Sequence, residues 1–361
     1  MKKILLLLAL PFTLAAAERP PAVPLVTNDP YFSIWSMSDR LNMDSTRHWT
    51  GKVQALHSLA RIDGVTYRLM GAGDRDDSSK PLEQRSVTVA PTQTTYEFEG
   101  AGVGISLVFT TPLLPHDLDV LSRPLTYVTW RARSLDGRPH PVQIYFEAST
   151  NLAVNNPAEQ PVNWARMKTK GLSVLRVGSR EQPMLEKSGD DLRIDWGFLY
   201  LAAVEGPEVH MAANDRSLTR AGFGSNGSVN EEDAFAQQDP RNRYNPVRNP
   251  VLAMSHDLGQ VGATPVSSYV MLAYDDLYSL EYLNRRVRPY WRRNGAEASD
   301  LLHDAAADYQ GLMSKCAAFD RDLMADLTRE GGKEYAGISA LAYRQSIAAH
   351  KLAVDADGML L

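Results

Sequence analysis

The run Tyr127-Val128-Thr129-Trp130-Arg131-Ala132 decides the fold class. Val128, Trp130 and Ala132 fall on one side of it, and Tyr127, Thr129 and Arg131 on the other. That period of two belongs to a half-buried antiparallel strand. The same alternation returns in Val142, Ile144 and Phe146 against Gln143, Tyr145 and Glu147. Working outward, 94–98 and 103–109 flank Gly100-Ala101-Gly102, a hairpin signal. Residues 172–177, 198–204, 209–213 and 267–274 read as further strands. Many short strands with turns and no helices between them predict an antiparallel β-sandwich over 85–276 rather than a parallel sheet. One polar stretch, 222–250, breaks the rhythm; it is a solvated excursion or a binding loop of unusual length.

After residue 276 the pattern turns helical. Residues 279–288 read as a short helix ended by Pro289. Leu301, Ala305, Leu312, Cys316, Phe319, Leu323 and Leu327 then recur at helical spacing, with Ser299 as the N-cap and Gly331-Gly332 as the stop. A second helix over 334–352 is expected to bury Ile338, Leu341, Ala342, Ile347 and Ala348. The last residues read as a hairpin turning at Asp357-Gly358. Its second strand is short and two helices cannot cover each other, so the α part is expected to continue beyond Leu361.

The chain has 361 residues with 38 basic and 43 acidic side chains, a net charge of −5. That balance offers no footprint for a nucleic acid or an anionic membrane. With 44% hydrophobic and 22% charged residues the chain is globular in composition, not disordered. A single cysteine, Cys316, excludes an internal disulfide and a CxxC metal or redox site, and its place on the apolar stripe makes it a core residue. Lys2 and Lys3, the apolar run 4–14 and Ala15-Ala16-Ala17 have the form of a secretory signal peptide over 1–17, so a periplasmic or secreted protein is expected, with no membrane contact after cleavage. Residues 18–84, rich in aromatics and turn formers, read as an N-terminal cap segment, 277–332 as linker helices and 333–361 as the start of another domain.

Two blocks carry a family resemblance. The first is DPYFSIWS at 29–36 with HWTG at 48–51; the second is FDRDLMADLTREGGKEYAGISALAYRQSIAAHKL at 319–352. Together they resemble the glutaminase A family, over nearly all of the mature chain. The resemblance implies an N-terminal cap, a β-sandwich and an (α/α)6 six-hairpin toroid, of which this chain would hold the cap, the sandwich and the first toroid helices. It also implies hydrolysis of L-glutamine to L-glutamate and ammonia.

Amide hydrolysis needs an attacking water or nucleophile, a proton donor for the amine and donors for the oxyanion. No nucleophile motif is present: Gly-x-Ser-x-Gly is absent, and the catalytic residues stay unassigned. The candidate binding residues are Trp35, His48, Trp49, Arg344 and Gln345. His48 can donate to a carboxylate or amide, and Trp35 and Trp49 can wall a site, although such aromatics equally pack a cap onto a sandwich. Arg344 can clamp a carboxylate with two parallel bonds, or pair with Glu334 or Asp320 as scaffold. His350 complements a helix end and Asp29 starts a turn. Asp74, Asp76 and Asp77, like Glu231-Glu232-Asp233, have oxygen ligands for Ca²⁺ but read as solvated loops, so no metal and no cofactor is assigned. Gly100-x-Gly102-x-Gly104 lacks the helix that a dinucleotide fingerprint requires. Three readings stand: a glutaminase-type amidohydrolase, a sugar-active enzyme on the same architecture with carboxylates on toroid loops, or a non-catalytic sandwich that binds sugar or a partner. The implied partner is a small-molecule or glycan substrate.

Overall fold

The alternating segment lies in the strand Leu125–Ser134, near the middle of an eight-stranded antiparallel sheet. The order across that sheet is Val162–Thr169, Leu172–Ser179, Phe198–Val204, Val266–Asp275, Leu125–Ser134, Val103–Thr110, Gln93–Gly100 and Glu83–Val89. A second, six-stranded sheet runs Val209–Asp215, Pro250–Val261, His140–Ser149, Leu56–Ile62, Val65–Met70 and Lys80–Pro81, antiparallel except for the last pair. The computed structural model describes residues 20–77, 79–233, 248–355 and 357–361. The expected signal peptide and the middle of the polar stretch, 234–247, lie outside them.

The two sheets face each other over one apolar core in which Trp130, Phe98, Phe109, Ile144 and Phe146 are fully buried. Burial of this kind is worth about 25 cal/mol per Å² of apolar surface. The antiparallel sandwich is therefore as the alternation predicts. The other phase of the alternation is buried as well. Tyr127, Tyr200, Met271 and Ala273 face the helix Ala298–Ala348, against Leu302, Ala305, Tyr309, Leu312 and Cys316. Only Arg131 and Arg133, beyond the helix, reach solvent along that strand. The Tyr127 hydroxyl donates to the Ala305 carbonyl at 2.8 Å, and Tyr269 stacks on Tyr309 at 3.7 Å between ring centres. The outer face of the smaller sheet is covered by the helix Arg216–Asn226, whose Phe223 packs on Tyr145.

Several local expectations change. Residues 279–288 form no helix but a hairpin, Leu280–Tyr282 against Arg285–Pro289, because Leu283 and Asn284 both take positive φ and close a two-residue turn. The helix Arg216–Asn226 occupies the start of the supposed 222–250 loop; Asp215 caps its first turn and Gly227, at φ 82°, ends it. The cap at the start of the long helix is Glu297, in a reciprocal box with Asp300, rather than Ser299. Residues 56–70, placed in a cap segment by composition, are two strands of the six-stranded sheet; His57, Ser58 and Arg61 interrupt their apolar pattern.

The stop at Gly331-Gly332 is present. Gly332 has φ 82° and ψ −179°, a conformation nearly reserved for glycine, and it splits the long helix into a segment that covers the large sheet and a second segment ending at Ala348. That second segment turns Ala336, Ala340, Arg344 and Ala348 inward; of the expected face only Ala348 is buried, and Ile338 is 68% exposed. The small residues allow close approach to the sandwich. At the end of the chain Ala353 pairs with Pro289, and Gly358 sits at φ 82° in the expected hairpin turn.

Candidate functional site

A small three-stranded sheet, Val23–Thr27, Ser33–Ser36 and Arg47–His48, closes one end of the sandwich. Its register sets Ile34 opposite His48 and Trp35 opposite Arg47, so His48 and Trp35 lie on opposite faces. The chain then reverses in a turn in which the Gly51 amide donates to the His48 carbonyl at 2.8 Å. Gly51 holds φ 87°, which a side chain rarely tolerates. The turn lifts Trp49 out of the sheet.

His48 is fully buried and its ring is fixed at both nitrogens. Nε2 lies 3.0 Å from the Pro30 carbonyl, which can only accept, so this nitrogen carries the proton. Nδ1 accepts from the Thr50 hydroxyl at 3.0 Å. Burial pulls the imidazole down to about 4, so it is neutral at pH 7. Pro30 also accepts from the Trp49 indole N–H at 2.7 Å. One carbonyl thus orients both rings, yet Trp49 itself is 51% exposed.

Trp49 stands on the rim of a groove of about 450 Å³ between the small sheet and the end of the long helix. Trp35 and Met37 form its floor, and Gln345, Ala348 and Ala349 form the helix side. Trp35 is nearly buried, with its indole N–H on the Ser33 hydroxyl at 2.8 Å. Three of the five candidates, Trp35, Trp49 and Gln345, therefore meet in one place, and His48 stands behind Trp49 with ring centres 5.5 Å apart.

Arg344 does not reach the groove. One residue before Gln345, it is turned by about 100° into the sandwich and is fully buried. Nε donates to the Thr27 hydroxyl at 2.7 Å and Nη1 to the Ala90 carbonyl at 3.3 Å. Asp320 lies close enough to act on it electrostatically, and itself accepts from the Thr92 amide and hydroxyl at 2.8 Å each. Burial lowers the guanidinium to about 10 and raises the Asp320 carboxyl to about 6. Arg344 is therefore a scaffold residue, but its hydrogen bonds go to Thr27, Ala90 and Thr94, and it forms no ion pair with Glu334 or Asp320 among the described residues. Cys316 is buried, and burial raises its thiol to about 12.

Two charged clusters carry no motif in the sequence. Lys351 lies 2.5 Å from Asp29 and 3.0 Å from Asp276, beside a cavity of about 170 Å³. Burial favours neutral Lys351, but the carboxylates of Asp276 and Asp29 hold it above its ordinary range, while burial raises Asp276. Asp29 also makes the predicted turn, accepting from the Tyr31 and Phe32 amides at 2.9 Å. His350 donates to the Ser346 carbonyl at 2.6 Å, at the helix end. On the smaller sheet, Arg220 grips Glu147 through Nε at 3.1 Å and Nη2 at 2.5 Å, and the Tyr145 hydroxyl donates to the same carboxylate. Asp74 and Asp76 pair with Arg216, and Asp77 with Arg68 and His57. The acidic triplet is thus spent on cations rather than standing free in a loop. Asp233 likewise pairs with Arg166 at 2.8 Å. Among the described residues no group of three or more His, Cys, Asp or Glu side chains could hold a metal ion, and no helix is long and apolar enough to cross a membrane.

Comparison with known proteins places these features in a family. Residues 12–77 match a domain of unknown function, DUF4964, and residues 92–326 match a second one, DUF5127. The chain is 25% identical over 347 residues to glutaminase A of Aspergillus oryzae, covering 92% of this chain and 49% of the relative. It is 22% identical over 384 residues to “Probable glutaminase/05536” of Arthroderma benhamiae, covering 96% of this chain and 43% of the relative. The chain therefore spans about half the length of the curated relatives it matches. Among solved structures, “Putative kojibiose phosphorylase from human microbiome” covers 90% of this chain and 38% of its own at 8% identity and a TM-score of 0.43, a likeness too distant to argue from. The resemblance to glutaminase A read in the two sequence blocks holds, and with well over half of its length matched the chain belongs to the DUF5127 family.

Proposed function

We propose that this chain is the N-terminal half of a secreted or periplasmic hydrolase of the glutaminase A type, which splits L-glutamine into L-glutamate and ammonia. The observation that carries the reading is similarity to glutaminase A along 92% of the chain. In this reading the sandwich is a scaffold, and the groove at the seam of the small sheet and the helix end is an accessory binding surface apart from the place where glutamine reacts. Trp35 and Trp49 supply its walls and Gln345 an amide that both donates and accepts. His48 serves as an orienting group: its proton is committed to Pro30, and at about 4 its imidazolium form is scarce at neutral pH. The groups that activate water and protonate the leaving ammonia belong, in this reading, to the other half of the protein. The test is ammonia release from L-glutamine by the full-length protein. Ammonia release above the background of the heat-denatured protein supports the proposal; a full-length protein that releases no ammonia refutes it.

A further inference from the structure

We infer that the groove beside Trp49 is a subsite for a neutral sugar ring, stacked on the indole and hydrogen-bonded by Gln345. The inference rests on the reading of this groove as a binding site and names the chemical class it takes. The first observation is rigidity. An exposed tryptophan ordinarily rotates, but the Trp49 indole is tied to Pro30 at 2.7 Å and mounted on a turn closed by Gly51. Its face is therefore presented at little cost in ordering on binding.

The second observation is charge. None of the side chains that line the groove is ionisable. His48 is neutral and behind the ring; Arg344 is buried against Thr27 and Ala90; Arg47, next to Trp35, is paired with Asp44 and donates to the Gly51 carbonyl; Lys351 is committed to Asp29 and Asp276. A free amino acid would bring an ammonium and a carboxylate into a place with no partner for either, which is costly. The ligand that fits is uncharged.

The third observation is the mixture of surfaces. Trp35, Trp49, Met37, Ala348 and Ala349 offer apolar area, while Gln345 adds one amide with two donors and an acceptor. A purely apolar ligand would leave that amide unused. A pyranose has an apolar C–H face for the indole and a rim of hydroxyls for the amide. The space of about 450 Å³ falls in the range of small-molecule pockets, roughly 300–1,000 Å³.

The experiment is isothermal titration of the protein with cellobiose, maltose and L-glutamine, at low salt and again at about 0.5 M NaCl, where exposed charge interactions are screened. At least one disaccharide is expected to bind with an affinity independent of salt. Trp49→Ala should weaken it about tenfold or more, a loss of about 1.4 kcal/mol per decade. Trp49→Phe should restore part of the affinity, and Gln345→Ala, on an exposed helix position, gives a second variant that leaves the fold intact. Thermal unfolding of each variant shows that it is folded. The inference is overturned if neither disaccharide binds, if folded Trp49→Ala and Gln345→Ala both bind as the parent does, or if binding falls away with salt. Because titration reads sugar and not ammonia, a failed glutaminase assay leaves this inference standing, and a failed titration leaves the glutaminase reading standing.

Discussion

Replacing Arg344 with alanine separates a substrate clamp from a structural anchor. The guanidinium is fully buried and donates to Thr27 at 2.7 Å, with weaker bonds to Ala90 at 3.3 Å and Thr94 at 3.5 Å. A charge-assisted bond as short as the first contributes about 1.5–3 kcal/mol. The substitution also leaves Thr27 and the Ala90 carbonyl without a donor, opens the space of a long side chain and removes the cation beside Asp320. A loss of about 3–5 kcal/mol in unfolding free energy follows, from the buried groups left unpaired and the cavity together. Met in the same place should lose less, since it refills the space, and Nη2 has no partner among the described residues to begin with. The assay is urea unfolding at pH 7. The Asp320 carboxyl adds a pH signature. Its folded value, about 6, is raised above the ordinary 3.8, so the fold favours the protonated form; this group costs stability above pH 6, and the cost is relieved as pH falls from 6 to 4. Without the arginine that window should extend upward. An Arg344→Ala protein as stable as the parent within about 0.5 kcal/mol, yet unable to turn over substrate, would refute the anchor and restore the clamp.

Three further outcomes are expected. His48 is held at about 4 against an ordinary 6.5, so neutral imidazole is favoured by folding; that stability is present above pH 6.5 and lost as pH falls to 4, up to about 3 kcal/mol, and His48→Gln should flatten the parent's fall in melting temperature over this window; parallel curves would show that His48 does not report there. Arg220→Ala strands Glu147, 2% exposed, and should cost about 3–5 kcal/mol in urea unfolding, whereas the double change Arg220→Met with Glu147→Leu should cost less than the single one; equal or greater loss in the double variant would contradict the pairing argument. Gly332→Ala forces a side chain into φ 82°, ψ −179° and should destabilise by about 1–3 kcal/mol; an unchanged unfolding midpoint would mean that the helix break does not depend on glycine.

The strands were legible because their apolar residues alternate, and the helix break because two glycines mark it. What was not legible depends on contacts distant in sequence. The hairpin that replaces the expected helix at 279–288 is paired by Ala353 and Val354, some seventy residues later, a partner that local propensity cannot see. The inner face of the second helix is hidden from periodicity because its buried residues are alanines and an arginine, while Ile338, a strong apolar signal, faces out. Trp35, Trp49 and Gln345 could be named from composition and neighbouring motifs, but their meeting follows only from a turn at Gly51 and the arrival of a helix end nearly three hundred residues on. Arg344 was eligible for the site on chemistry alone. A helix rotates by about 100° per residue, and that single step places Gln345 in the groove and Arg344 in the core.

The same step explains why the seam is suited to binding. The middle strands of each sheet are covered on their outer face by a helix, so little apolar surface is left there; Tyr127 and Thr129, which the alternation predicts to face water, are under a helix. Two cations near the seam join its parts: Lys351 ties the helix end to Asp29 and Asp276, and Arg344 ties it to Thr27. With these two cations used for anchoring, the open face between the anchored elements is lined by indoles, methyls and one amide. A neutral groove is thus the complement of a charged joint, and weakening the joint should disturb the groove. Lys351→Met, which leaves Asp29 and Asp276 facing each other without their cation, is expected to lower both the melting temperature and the Trp49-dependent affinity for sugar. A variant that melts earlier but keeps that affinity would show that the groove is organised by the Pro30 carbonyl and the Gly51 turn alone.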